Sequence, residues 1–191
     1  SDAMSPLADS PAFAQLMTKF NQPLVGLAVG TVVTAIIQSS SASVGMLQAL
    51  SLTGGISCGM AIPIIMGQNI GTCVTALISS IGANTQAKRV AVMHVSINVL
   101  GTLIWLPLLT LTNAIFHFAF MNQPVGAVGI AFCHTAFNVF TTILLLPFSR
   151  QLEKLARRLV RTENKTEQFA FLDPLLMRTP GVAINESVAM T

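Results

Sequence analysis

Gln38-Ser39-Ser40-Ser41-Ala42-Ser43 interrupts an otherwise apolar stretch, with Leu24 to Ile37 before it and Val44 to Leu52 after it. No Asp or Glu occurs between Asp9 and Glu153. Consecutive hydroxyls suit a lipid-facing helix poorly, because polar groups in hydrocarbon need partners. Those partners are either other protein groups or a bound solute. Each apolar flank is shorter than the roughly 20 residues that cross a bilayer. The pair is therefore predicted to form a re-entrant helical hairpin whose break lies inside the membrane.

Composition sets the class. Hydrophobic residues make up 52% of the 191-residue chain and charged residues 9%, with a mean hydropathy of +0.70. Soluble domains carry about a quarter charged residues, so the chain reads as an all-α membrane protein. The net charge of +3 hides an asymmetry. Between Pro23 and Ser149 the only formal charges are Lys88 and Arg89, whereas Arg150, Lys154, Arg157, Arg158 and Arg161 follow the last apolar run. This is charge at a membrane edge. It lacks the basic face interleaved with polar and aromatic contacts that nucleic-acid binding requires. Cys58, Cys73 and Cys133 have neither paired nor metal-ligand spacing and read as small apolar residues. The polar opening Ser1 to Asp9 shows no cleavable signal peptide.

After a turn at Thr53-Gly54-Gly55, Ile56 to Ile81 is long enough to cross the membrane. Gly67-Gln68-Asn69-Ile70-Gly71-Thr72 interrupts it and predicts a broken transmembrane helix. Val90 to Leu109 and Gly126 to Phe148 are two further transmembrane helices, and the polar Thr110 to Val125 between them reads as a loop or surface helix. The expected organisation is an amphipathic or polar lead-in over 1–23, a transmembrane transport domain over 24–148 and a basic cytoplasmic helix over 149–165. The positive-inside rule places Lys88, Arg89 and the C-terminal basic cluster on the cytoplasmic side. An internal repeat links the last two crossings. Met93-His94-Val95-Ser96-Ile97-Asn98-Val99 recurs as Cys133-His134-Thr135-Ala136-Phe137-Asn138-Val139, and each copy continues to a proline, Pro107 or Pro147. The spacing puts His and Asn on one helical face. Two such helices running in opposite directions would match transporters built from inverted repeats.

The residue types point to solute binding. Serine hydroxyls and the free N–H groups of a helix start can hold a phosphate anion, which makes Gln38, Ser39, Ser40 and Ser41 the candidate phosphate ligands. Without a carboxylate relay, proton coupling is disfavoured and sodium is the better driving ion. Sodium needs several hard oxygen ligands, and Gln38, Ser41, Asn69 and Thr72 are the candidates, joined by backbone carbonyls. His94, Asn98, His134 and Asn138 read as interhelical hydrogen-bonding residues behind those ligands. No organic cofactor and no metal other than sodium is expected. Other readings stay open. The hydroxyls can bond back to their own helix. The chain can be a passive channel or a membrane anchor. An intramembrane serine hydrolase would pair Ser39 to Ser41 with His94 or His134, but elbow motif and orienting acid are both missing.

Taken together, Gln38-Ser39-Ser40-Ser41-Ala42, Gly67-Gln68-Asn69-Ile70-Gly71-Thr72, Ala87-Lys88-Arg89 and the two H-x-x-x-N segments resemble the sodium-dependent phosphate cotransporter family, bacterial branch. The resemblance covers roughly Leu24 to Phe148. Members generally contain two QSSS repeats, one in each inverted half, and this sequence contains one. It therefore resembles the second half, to be completed by a missing first repeat half or by a second copy of itself. Gly67-Gln68-Asn69 stands where the family commonly has Gly-Ala-Asn or Gly-Ser-Asn, which sets a bulkier amide beside the expected ion site. Phe171-Leu172-Asp173-Pro174-Leu175-Leu176 and Thr179-Pro180 resemble the start of a PhoU-like cytoplasmic region, truncated here, over 166–191. The resemblance implies sodium-coupled symport of inorganic phosphate by alternating access. Its setting would be a multi-pass position in the bilayer of a bacterial inner membrane, with a cytoplasmic C-terminus.

Overall fold

The structure, a computed structural model, describes residues 22–161. Every described helix lies within one compact unit that ends at Val160. Residues 1–21 of the lead-in expected over 1–23 and the expected PhoU-like region lie outside the described residues, as do the last residues assigned to the basic helix; Pro23, assigned to the lead-in, instead opens the first helix.

Helix α1, Pro23–Ile37, opens on a proline, whose missing N–H costs nothing at a first helical position. It stops at Gln38, which adopts left-handed backbone (φ 56°) and donates its N–H to the Thr34 carbonyl at 2.8 Å. Helix α2, Ser40–Ser51, begins immediately, capped by Ser39, whose hydroxyl accepts the Ala42 N–H at 3.3 Å. The break therefore consists of Gln38 and Ser39 alone, and Ser40 to Ser43 form the first turn of α2. The two legs fold back on each other. Thr34 and Ser43 share a buried hydroxyl–hydroxyl bond of 2.7 Å across the break. Val29 of α1 and Leu50 of α2 also line one small apolar cavity with Ile64.

Helix α3, Cys58–Ser79, is continuous over its 22 residues. This corrects the expected broken helix. Gly67 and Gly71 do not interrupt α3; they make the surface on which α1 lies. A Cβ built at Gly67 would fall on the Leu27 carbonyl oxygen, and one built at Gly30 on the Ile64 carbonyl oxygen. The two helices thus touch backbone to backbone, as small-residue stripes in membrane helices allow. Gly26 faces Pro63 and Ile64, Gly30 faces Ile64 and Gln68, and Gly71 faces Thr34 and Ala35. Residue numbers rise together, so α1 and α3 run parallel. The polar side chains of the segment bond back along their own helix: Asn69 Nδ2 donates to Ile65 O at 2.9 Å and the Thr72 hydroxyl to Gln68 O at 2.8 Å.

Helix α4, Thr85–Phe116, is capped by Asn84, whose Oδ1 accepts the Ala87 N–H at 2.9 Å. At 32 residues it is about 48 Å long, well beyond a hydrocarbon core of ~30 Å. Thr110 to Phe116, expected as part of a loop or surface helix, is instead the end of α4. Only a 3-10 turn, Ala119–Asn122, separates it from the next helix. Helix α5, Ala127–Leu145, passes through a 3-10 turn at Leu146–Phe148 into α6, Ser149–Leu159. Gly101 of α4 packs on Thr141 of α5, and the Trp105 ring lies 6.0 Å from that of Phe140. Arg89, near the start of α4, donates Nε–H to Val160 beyond α6 at 3.2 Å. Numbers rise in one helix as they fall in the other, so the two H-x-x-x-N helices run in opposite directions, as the repeat implied.

Among the described residues three helices are long and apolar enough to cross a membrane: Cys58–Ser79, Thr85–Phe116 and the combined Ala127–Leu159. The core lies between α2, α3 and α5, where Ile56, Ile65 and Ile130 are fully enclosed. Val128, Phe132 and Ile143 face outward, the inverse of a water-soluble fold. The molecule is an all-α, multi-pass membrane protein.

Candidate functional site

A cavity of about 310 Å³ opens between the start of α2, the middle of α3 and the facing sides of α4 and α5. Ser40 enters it from the first turn of α2, and Asn69 and Thr72 from successive turns of α3. His94 and Asn98 come from α4, and His134 and Asn138 from α5. The lining holds no formally charged side chain among the described residues.

The three asparagines share one hydrogen-bonding habit. Asn69 Nδ2 donates to Ile65 O at 2.9 Å, Asn98 Nδ2 to His94 O at 3.0 Å and Asn138 Nδ2 to His134 O at 2.8 Å. Each amide commits a donor to the carbonyl four residues earlier and keeps its Oδ1 as an acceptor. The same bond recurs in both copies of the repeat, so the H-x-x-x-N spacing fixes an asparagine rotamer as well as a shared face.

Of the serine run, Ser40 alone reaches the cavity. Ser39 is committed to capping α2 and lies 3.3 Å from the Ser41 hydroxyl. Gln38 and Ser41 are exposed outside the lining. Ser43, the last hydroxyl of the run, is buried as a lock: it bonds Thr34, and its carbonyl accepts from Gln68 Nε2 at 3.0 Å. The bulkier amide at position 68 thus ties α3 to the first turn of α2. The break also brings two helix ends together. Ser39 satisfies the Ala42 and Ser43 N–H groups and Gln38 the Thr34 carbonyl; the other first-turn N–H groups of α2 and last-turn carbonyls of α1 lack intrahelical partners, one end carrying partial positive charge and the other partial negative.

Sequence reading missed Thr141 and Thr142, which complete the α5 wall. Thr141 is 3% exposed and its hydroxyl has no partner among the described residues. The signal was present: His134, Asn138, Thr141 and Thr142 follow one another at helical spacings of three and four residues.

The family described as Na+/Pi-cotransporter matches residues 1–145. The uncharacterized protein YqeW of Bacillus subtilis is 37% identical over 134 residues, 70% of this chain and 43% of its own length. Rat sodium-dependent phosphate transport protein 2A is 39% identical over 103 residues, 51% of this chain and 16% of its own. The Escherichia coli protein named putative inorganic phosphate export protein YjbB is 26% identical over 171 residues, 88% of this chain and 31% of its own. The chain thus spans less than half the length of these relatives. No solved structure matches it. A serine-capped break, an antiparallel pair of H-x-x-x-N helices and the match over most of the chain agree: this protein belongs to the Na+/Pi-cotransporter family.

Proposed function

We propose that this chain supplies one half of a sodium-coupled carrier of inorganic phosphate working by alternating access, and that the cavity at Ser40 is its share of the ion site. The observation that carries this is the convergence of Ser40, Asn69 and Thr72, from two different helices, on one uncharged cavity that the repeat pair completes. Phosphate binds at the start of α2, where Ser40 and unpaired N–H groups donate and the helix dipole favours an anion. Sodium is held by acceptors, the Oδ1 of Asn69 and the Thr72 hydroxyl oxygen, with the carbonyl end of α1 nearby. Gln38, Ser39 and Ser41 belong to the face that the other half of the carrier covers, whether an upstream repeat or a second copy. In this reading the hairpin enters and leaves the membrane from one side, and the C-terminus is cytoplasmic in a bacterial inner membrane.

Two features support the coupling. A site without carboxylates does not repel phosphate, and the anion and the cation stabilise each other's binding in a low dielectric. The hydrolase reading has no such support. Ser40, His94 and His134 do share the cavity, but the one carboxylate among the described residues, Glu153, is bonded to Arg157 on α6. A second reading concerns direction. The name of the relative YjbB points to export, and a coupled carrier runs outward whenever the combined gradients favour it.

The test is isotopic phosphate flux in proteoliposomes with the full native transporter, in sodium and in choline media. Flux that needs a sodium gradient and falls in Ser40→Ala supports the proposal. Equal flux in the two media refutes the coupling, and unchanged flux in the variant refutes the site.

A further inference from the structure

Among the described residues every formally charged side chain lies at the start of α4 or on and just after α6, and Glu153 is the one acid. These elements pack together and enclose a second cavity of about 270 Å³, separate from the one at Ser40. Arg89, Arg150 and Arg157 line it with Glu153, giving three positive charges against one negative. Arg89 is anchored by its Nε–H bond to the Val160 carbonyl at 3.2 Å. Arg157 donates two bonds to one Glu153 oxygen, at 2.9 Å from Nε and 2.6 Å from Nη2. Arg89 is thereby tied to the end of α6 beside the cavity, while the Arg157–Glu153 pair is a solvent-exposed bridge one helical turn apart that orients the Arg157 guanidinium.

The remaining walls are uncharged: Gln86 and Ser149 are polar, Val90 and Met93 apolar. Val90, 66% exposed, and Met93 border the same cavity. Along α6, Leu152 and Ala156 are buried against the bundle. Oriented guanidinium groups beside uncovered apolar side chains at the end of a membrane bundle match a molecule that is itself anionic at one end and oily at the other.

We propose that this groove between the start of α4 and α6 is a binding site for an anionic phospholipid, its phosphodiester held by Arg89, Arg150 and Arg157 and its acyl chain laid against Val90 and Met93. Glu153 sets the Arg157 side chain in position and moderates the net charge. Because the ligand class shares its phosphate group with inorganic phosphate, the two sources must be separated by experiment.

The full native chain, purified in detergent, is titrated with dioleoyl phosphatidylglycerol or with dioleoyl phosphatidylcholine, and retained lipid is counted by native mass spectrometry. The proposal expects preferential retention of phosphatidylglycerol. Each arginine near a membrane surface contributes on the scale that makes the Arg150→Gln/Arg157→Gln variant bind roughly 30-fold more weakly. A Lys154→Gln/Arg158→Gln variant removes the same charge from α6 outside the cavity and is expected to lose less than about 3-fold. Equal losses in the two variants, or equal retention of the two lipids, would overturn the proposal in favour of diffuse attraction or of ordinary annular lipid. Displacement of the lipid by millimolar inorganic phosphate would overturn it in favour of a free-phosphate site.

Discussion

Replacing Gly67 by alanine tests the packing on which the arrangement rests. A methyl group at that position would lie 2.9 Å from the Leu27 carbonyl carbon and 2.9 Å from the Thr31 nitrogen, besides meeting the Leu27 oxygen. Comfortable contact needs about 3.5 Å or more, so α1 and α3 must part by roughly 1 Å. No flexible side chain can yield, because every atom in the way is backbone. Overpacking of this kind costs about 1–3 kcal/mol. Gly30→Ala makes the mirror-image clash, at 3.0 Å from the Ile64 carbonyl carbon and 3.1 Å from the Gln68 nitrogen. Once the helices have separated for one methyl, the second finds room, so the double variant should lose less than the sum of the singles. Gly45→Ala is the control: nothing lies within 4 Å of its added carbon, and alanine in a helix is favoured by about 0.5–1 kcal/mol. Thermal unfolding of the detergent-solubilised protein, at about 2–4 °C per kcal/mol, reads all four variants. If Gly67→Ala melts with the wild type while Gly45→Ala falls, the backbone-to-backbone contact is wrong, and with it the account of why α3 stays unbroken.

Three further outcomes are expected at the site. Ser40→Ala should raise the phosphate KM by roughly 10-fold or more, the scale of one hydrogen bond to a charged group, while exposed Ser41→Ala should change it less than about 3-fold in the same flux assay. Asn69→Ala should raise the half-saturating sodium concentration and leave the phosphate KM at saturating sodium nearly unchanged; a rise in the phosphate KM alone would remove the acceptor role. Thr34→Val leaves the buried Ser43 hydroxyl without its partner across the break and should cost about 1–3 kcal/mol in thermal unfolding, partly recovered by adding Ser43→Ala.

The legible parts of the fold were those set by length and hydropathy: three crossings, two short hairpin legs, and an antiparallel repeat pair. The misread part was Gly67 to Thr72. Glycines at that spacing mark either a weakened helix or a close helix contact, and the choice depends on whether another backbone lies against them. The clue sat far away in sequence, where Gly26 and Gly30 repeat the spacing of Gly67 and Gly71 and meet α3 in space. Thr110 to Phe116 was misread because its polar residues suggested a loop, although a helix leaving the hydrocarbon can carry polar residues without unwinding. The serine run was read as a set and works as individuals. Successive helical residues point about 100° apart, so four adjacent positions cannot face one cavity: Ser39 caps, Ser40 enters, Ser41 faces out and Ser43 locks.

The three asparagines bear on how a neutral cavity could serve the two ions of the proposed function, because each has committed one of its two amide N–H donors to its own helix. A free carboxamide offers donors and an acceptor on equal terms and would serve either ion. Here one amide N–H of each of Asn69, Asn98 and Asn138 is turned back onto its own helix, which leaves the second N–H and the carbonyl oxygen of each side chain. At the other end, the first turn of α2 offers N–H groups and the Ser40 hydroxyl. The proposed reading places phosphate at these donors and sodium among the carbonyl and hydroxyl oxygens of α3, with no charged residue in the lining. A carboxylate would hold sodium more tightly, but it would bind cations in the absence of the anion and repel the anion on arrival. Dipoles alone bind either ion weakly, and each ion then improves the field for the other. In the proposed carrier this mutual dependence would couple the two ions without a formal charge in the cavity lining.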